Sequence, residues 1–193
     1  MRNELGIATA GILLMMVAAP AQSQTTGGQG SNHGTPMQQT PAGSAAGVRA
    51  APLPDREFVA AAAVANRFEI QSAELALDRA GDAKLKEFAR MMLTDHKAAL
   101  AELETAAKEA GVAFPPEPGL DQTHATKIAA LERRKDPVEF DQAYRTDQIH
   151  AHQQAVTLLE TYQRIGAMEP LRVWAAKTLP AVKKHLVVLN TMN

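Results

Sequence analysis

Residues 110–121 read Ala110-Gly111-Val112-Ala113-Phe114-Pro115-Pro116-Glu117-Pro118-Gly119-Leu120-Asp121, and no helix can run through them. Each proline lacks the N–H that a helix interior needs, and its ring crowds the carbonyl one turn earlier. Upstream of this break the apolar residues recur with helical spacing back to Asp82, an N-cap residue, so one helix spans about Asp82 to Ala110 and Gly111 stops it. Before Asp82, Gly81 is expected to supply the left-handed residue that closes an earlier helix, capped by Asp55 and running to about Ala80. Downstream lies a shorter helical segment, Leu120 to Arg134, with Ile128 and Leu131 as its apolar residues. Asp136-Pro137-Val138-Glu139 then combines an N-cap, proline at the first helical position and glutamate at the third, a strong start signal. That helix runs to Ile165 and closes at Gly166. Pro170 opens the last one, which carries Leu171, Trp174, Leu179, Val182, Leu186 and Leu189 toward Asn193, with Pro180 expected to kink it.

Four long helices in two tight hairpins, joined by a connection of about 25 residues, imply two antiparallel pairs and a connection long enough to cross from one end to the other. The expected fold is all-α: an antiparallel four-helix bundle, ferritin-like, with a long crossover containing a short helix between helices 2 and 3. An up-down bundle with a long middle loop is the alternative on the same segments.

The bundle domain so read covers 55–193. Ahead of it, 22–54 is a Gly/Pro/Ser/Gln-rich linker almost without large apolar side chains, too poor in them to offset the entropy of ordering. Its His33 and Met37 receive no role. Residues 1–21 read as a cleavable signal peptide: Arg2, then an apolar run from Leu5 to Ala19 of about 15 residues, short of a bilayer span, ending in Ala19-Pro20-Ala21. The expected address is export to the periplasm or cell envelope, with outer-membrane association open and no transmembrane span after cleavage.

Composition narrows the function further. The 193 residues are 46% hydrophobic but 4% aromatic, enough for one core made mainly of Ala, Leu, Val and Met. With 20 Lys plus Arg against 21 Asp plus Glu there is no basic field for nucleic acid or acidic lipid. The absence of Cys excludes disulfides, thiolate metal sites and a thiol nucleophile. No nucleophile constellation or Gly-rich phosphate loop occurs, so the residues single out no enzyme activity.

Helical projection places polar residues on the inner faces. On the first helix Ala61, Ala62, Val64, Ala65, Phe68, Ser72, Leu75 and Ala76 form one arc that includes Glu69, opposite Arg67, Glu74 and Asp78. On the second, His96 lies at the centre of the stripe from Leu85 to Leu103, with Asp95 on its flank. On the third long helix the arc of Phe140, Tyr144, Ala155, Leu159 and Tyr162 takes in His152 and leaves His150 outside. On the last, His185 stands between Val182 and Leu189. Glu69 and His96 lie at heights differing by about 4 Å above their shared turn, and His152 and His185 match likewise, so all four can meet at mid-height. Glu69, His96, His152 and His185 therefore form a candidate site for one transition-metal ion (Zn, Cu, Fe or Mn), with Asp95 and Tyr144 as supporting partners. The same residues also suit a buried hydrogen-bonded network without metal, inside a non-catalytic module that meets another envelope protein.

Several stretches carry a resemblance: Phe58-Val59, Asn66-Arg67-Phe68-Glu69-Ile70, Phe88-Ala89-Arg90-Met91-Met92-Leu93-Thr94-Asp95-His96, Phe140-Asp141-Gln142-Ala143-Tyr144, Ile149 to His152, Thr178-Leu179-Pro180 and His185-Leu186. From about Phe58 to the C-terminus the chain resembles the exported family called domain of unknown function 4142, grouped with ferritin-like proteins and described as outer-membrane proteins. The resemblance implies a ferritin-like fold in the bacterial envelope and carries over no catalytic residue. Di-iron ferritins use a Glu-x-x-His pair, whereas here Leu93 and Val182 stand at the glutamate positions before His96 and His185. A mononuclear, His-rich site fits better than a ferroxidase centre.

Overall fold

The computed structural model describes residues 53–116 and 119–192, so the signal peptide and the linker up to residue 52 lie outside the described residues. The described residues are all-helical: α1 (Asp55–Arg79), α2 (Ala83–Glu109), α3 (Gln122–Arg133), α4 (Pro137–Ile165) and α5 (Glu169–Thr191). No helix among them is long and apolar enough to cross a membrane.

The starts of α2 and α4 follow the expected capping chemistry. Asp82 accepts from the Lys84 amide, and Asp136 accepts from Val138 and Glu139 while Pro137 takes the first turn. Asp121 caps α3 through the His124 amide. The expectation for Asp55 is corrected: Pro54 holds the cap position, and Asp55, already helical, accepts from the Tyr162 hydroxyl on α4.

Gly111 is left-handed, with φ 67°, as a helix terminator should be. Gly81 is not, and its requirement is one of space. A Cβ there would come within 3.0 Å of the Pro137 side chain, and its N–H donates to Asp141, 60 residues away. The close α1–α2 turn thus docks on the start of α4.

α1 packs on α2, and α4 on α5, as antiparallel hairpins; α1 also packs on α4, α2 on α5, and α3 lies against α1 and α4. Lys97–Glu74 and Lys183–Glu160 bridge the hairpins at matching heights. α5 continues through Pro180.

The core falls into two clusters. One holds Phe58, Leu103, Leu159, Tyr162, Trp174 and Val182, with Leu53 packed against it. The other holds Phe88, Met92, Leu131, Phe140, Tyr144 and Leu189. Between the clusters every long helix carries at least one polar, buried residue: Asn66, Glu69 and Ser72 on α1, His96 on α2, Gln148 and His152 on α4, His185 on α5. Two facial assignments change. Arg67 is buried rather than outward, its guanidinium donating to the Pro115 carbonyl and lying over the Phe114 ring, while Ala61 is exposed. The chain after Gly111 folds back over α1, which no helical projection reveals.

Candidate metal centre

Burial of a neutral imidazole is tolerated when its N–H finds an acceptor. Each of the three inward histidines has one. His152 Nδ1 lies 2.8 Å from the Gln148 carbonyl, which can only accept, so the proton sits on Nδ1. His96 Nδ1 lies 2.9 Å from Asn66 Oδ1. The Asn66 amide nitrogen donates to the Ala62 carbonyl at 2.8 Å, which fixes the amide's orientation and makes His96 Nδ1 the donor. His185 Nε2 donates to the Asp95 carboxylate at 2.9 Å.

With those protons directed outward, the remaining nitrogens, His96 Nε2, His152 Nε2 and His185 Nδ1, carry lone pairs. One ring nitrogen from each histidine lies within 4.8 Å of the others. The ring centroids form a near-equilateral triangle with sides of 5.8, 5.6 and 5.4 Å. His152 Nε2 and His185 Nδ1 are 3.3 Å apart, and His96 Nε2 is buried with no hydrogen-bond partner among the described residues. Phe88 packs beside His152 and His185.

Burial holds all three imidazoles below the usual histidine range. It takes His152 down to about 4, against the opposing pull of the Gln148 carbonyl. It lowers His96 strongly, assisted by the other two rings, and lowers His185 despite Asp95. At neutral pH the triad is uncharged, the form in which imidazole binds a metal.

Glu69 stands elsewhere than expected. Its Oε1 is 3.7 Å from His152 Nδ1, the protonated nitrogen, so the structure gathers the three histidines and leaves Glu69 behind the His152 ring. Its Oε2 is buried without a partner among the described residues, and burial pushes its pKa up to about 8. Asp95 accepts a hydrogen bond from His185 Nε2. Tyr144 does not: it is fully buried, but its hydroxyl meets no hydrogen-bond partner among the described residues, and burial followed by the Glu69 charge raises its pKa. The Asn66 side chain and the Gln148 main-chain carbonyl meet the other two rings, and the Gln148 side chain donates to Ser72 at 3.0 Å. Asn66 stands as a polar residue at inner-face spacing, whereas a main-chain carbonyl carries no side-chain signal. His150 is exposed, as expected.

Beside His96 and His152 lies a cavity of about 30 Å³, which Glu69, Asn66 and several small apolar side chains also line.

The chain belongs to the family described as Domain of unknown function (DUF4142), which matches residues 38–192 and so begins inside the segment read as linker. No curated protein matches it. Among solved structures it is similar to "CopM in the Cu(II)-bound form", with a TM-score of 0.60 and 19% identity over 72% of this chain and 95% of that one. At that identity the likeness is one of fold.

Proposed function

We propose that this chain is an exported cell-envelope protein whose ferritin-like four-helix bundle, with α3 in the crossover, binds one transition-metal ion through His96, His152 and His185. The observation that carries the reading is the direction of the ring protons. A polar network without metal needs a donor at each contact, yet the 3.3 Å contact between His152 Nε2 and His185 Nδ1 joins two acceptors, with a third unpartnered at His96 Nε2. A cation resolves that arrangement. Two imidazoles on one tetrahedral ion at about 2.05 Å stand about 3.3 Å apart, so this pair needs little movement. Asp95, the Gln148 carbonyl and Asn66 then act as the outer acceptors that orient metal-bound histidines.

Three neutral nitrogens suit Cu, Zn or Fe, and Mn less well; the usual order of affinity puts Cu(II) first. The similar fold of CopM, a protein solved with Cu(II) bound, supports copper as the first ion to test. Glu69, lying behind His152, serves as an outer carboxylate rather than a first ligand.

The test is elemental analysis of the mature protein, residues 22–193, purified from the envelope fraction without chelators beside a His96→Ala variant. Near-stoichiometric metal that disappears in the variant is expected. Metal in neither overturns the reading and leaves a non-catalytic module with an envelope protein as partner. The N-terminal sequence of the purified chain reports on cleavage after residue 21, and an intact Met1 terminus would refute export by this signal.

A further inference from the structure

The cavity beside the triad is not explained by holding an ion. It lies against His96 and His152 but not His185, so it occupies one flank of the cluster. Its polar wall contains two of the layer's three residues with unpartnered buried atoms, His96 through Nε2 and Glu69 through Oε2. Its other walls include the small side chains Ala62, Ala65 and Ala155. Interiors pack to crystal density, and an apolar void offers nothing to stabilise it. A space of about 30 Å³ has room for one or two water-sized groups, and here it has polar partners for them.

We infer that this cavity is the seat of a small exogenous ligand, a water or a small anion, which reaches the metal between His96 and His152 and has Glu69 as its second contact. The inference rests on the metal reading above. Three protein ligands leave a four-coordinate ion one open position, the pattern of sites that exchange ligands rather than closed structural ones. The alanines set the ligand's size: a larger side chain at any of them would occupy the same space.

The experiment uses the mature protein loaded with Cu(II), its metal content measured first, and azide as the probe. In wild type, azide is expected to produce a saturable charge-transfer band and a change in the Cu(II) EPR spectrum. In Ala155→Leu, and independently in Ala65→Val should the first variant fold poorly, the metal content is expected to stay near wild type while half-saturation by azide rises at least tenfold. Loaded wild type that shows no azide response overturns the inference and leaves the metal reading intact. An unchanged azide response in correctly folded, loaded variants also overturns it, because the ligand then arrives by another route. Wild type that takes up neither Cu(II) nor, in parallel loadings, Zn(II) or Fe(II) removes both readings, a distinct result from the other two.

Discussion

At one end of the helical domain Phe58 stacks on Tyr162 at 3.7 Å between ring centroids, with Trp174 edge-on at 5.9 Å; at the other, Phe88, Met92 and Leu189 close over one another. Between these ends every long helix contributes at least one buried polar side chain. The ends are held mainly by apolar packing, with the Tyr162 hydroxyl donating to Asp55 and the Trp174 N–H to the Ala99 carbonyl. The middle layer is satisfied only in part: its outward N–H groups all have acceptors, whereas His96 Nε2, Glu69 Oε2 and Gln148 Oε1 have no partner among the described residues. An unmet buried polar group costs about 1–3 kcal/mol. A layer carrying several of them contributes less to stability than the apolar ends.

The largest expected effect lies in the ends. Phe58→Ala removes a fully buried ring and its aromatic partners, and should lower unfolding free energy by about 3–5 kcal/mol in urea titrations, equally with and without added metal. A metal-dependent difference would mean that the two regions are coupled rather than separate.

Next in size is metal itself. Cu(II) or Zn(II) at a free concentration 100-fold above its dissociation constant should stabilise wild type by about 2.7 kcal/mol, seen as a rise in Tm, and His96→Ala should lose that rise. Equal stabilisation of the variant would place the ion outside the triad.

The layer should also govern pH dependence in the metal-free protein. The lowered histidines, with His152 at about 4, stay neutral in the fold while the unfolded chain binds protons, so stability rises with pH up to about 6.5. Glu69 acts oppositely. Its pKa, raised from 4.5 to about 8, makes the folded state hold a proton that the unfolded state has lost, so stability falls from the lower value to the upper. The three histidines outweigh it below about pH 6.5 and it stands alone above, which puts the maximum near pH 6.5. Glu69→Gln should abolish the decline between pH 6.5 and 8, about 2 kcal/mol, measured by denaturant midpoints across that range. A variant that declines as steeply as wild type would clear Glu69 of the effect.

What the residues alone disclosed divides along the same line. The caps at Asp82 and Asp136, the stop at Gly111 and the inward histidines all rest on local spacing, and local spacing survives folding. Gly81 was misread because its constraint comes from Pro137 and Asp141, across the domain. Arg67 was misread because the segment after Gly111 covers it. Tyr144 shares the arc of His152 but lies at the level of Met92 and Leu189, one layer too far to reach the imidazoles. Asn66 was passed over because an amide on an inner face has no distinctive chemistry until its partner is placed beside it, and the Gln148 contact because it is made by a main-chain carbonyl.

The smallest expected change is the most discriminating. His185→Leu replaces the imidazole by an apolar side chain of similar volume. The hydrogen bond it removes ends on Asp95, whose side chain is 43% exposed and can turn to water, so no buried charge is stranded. On its other side the substitution deletes the Nδ1 lone pair facing His152 Nε2, a contact between two acceptors in the metal-free state. Metal-free stability should therefore change by no more than about 0.5–1 kcal/mol, in either direction, while the metal-induced rise in Tm disappears. The equivalent substitution in a purely structural network would cost the penalty of an orphaned partner, about 1–3 kcal/mol, with or without metal. A loss in that range would mean that the middle layer, like the ends, is built for stability, and the contrast between them would collapse.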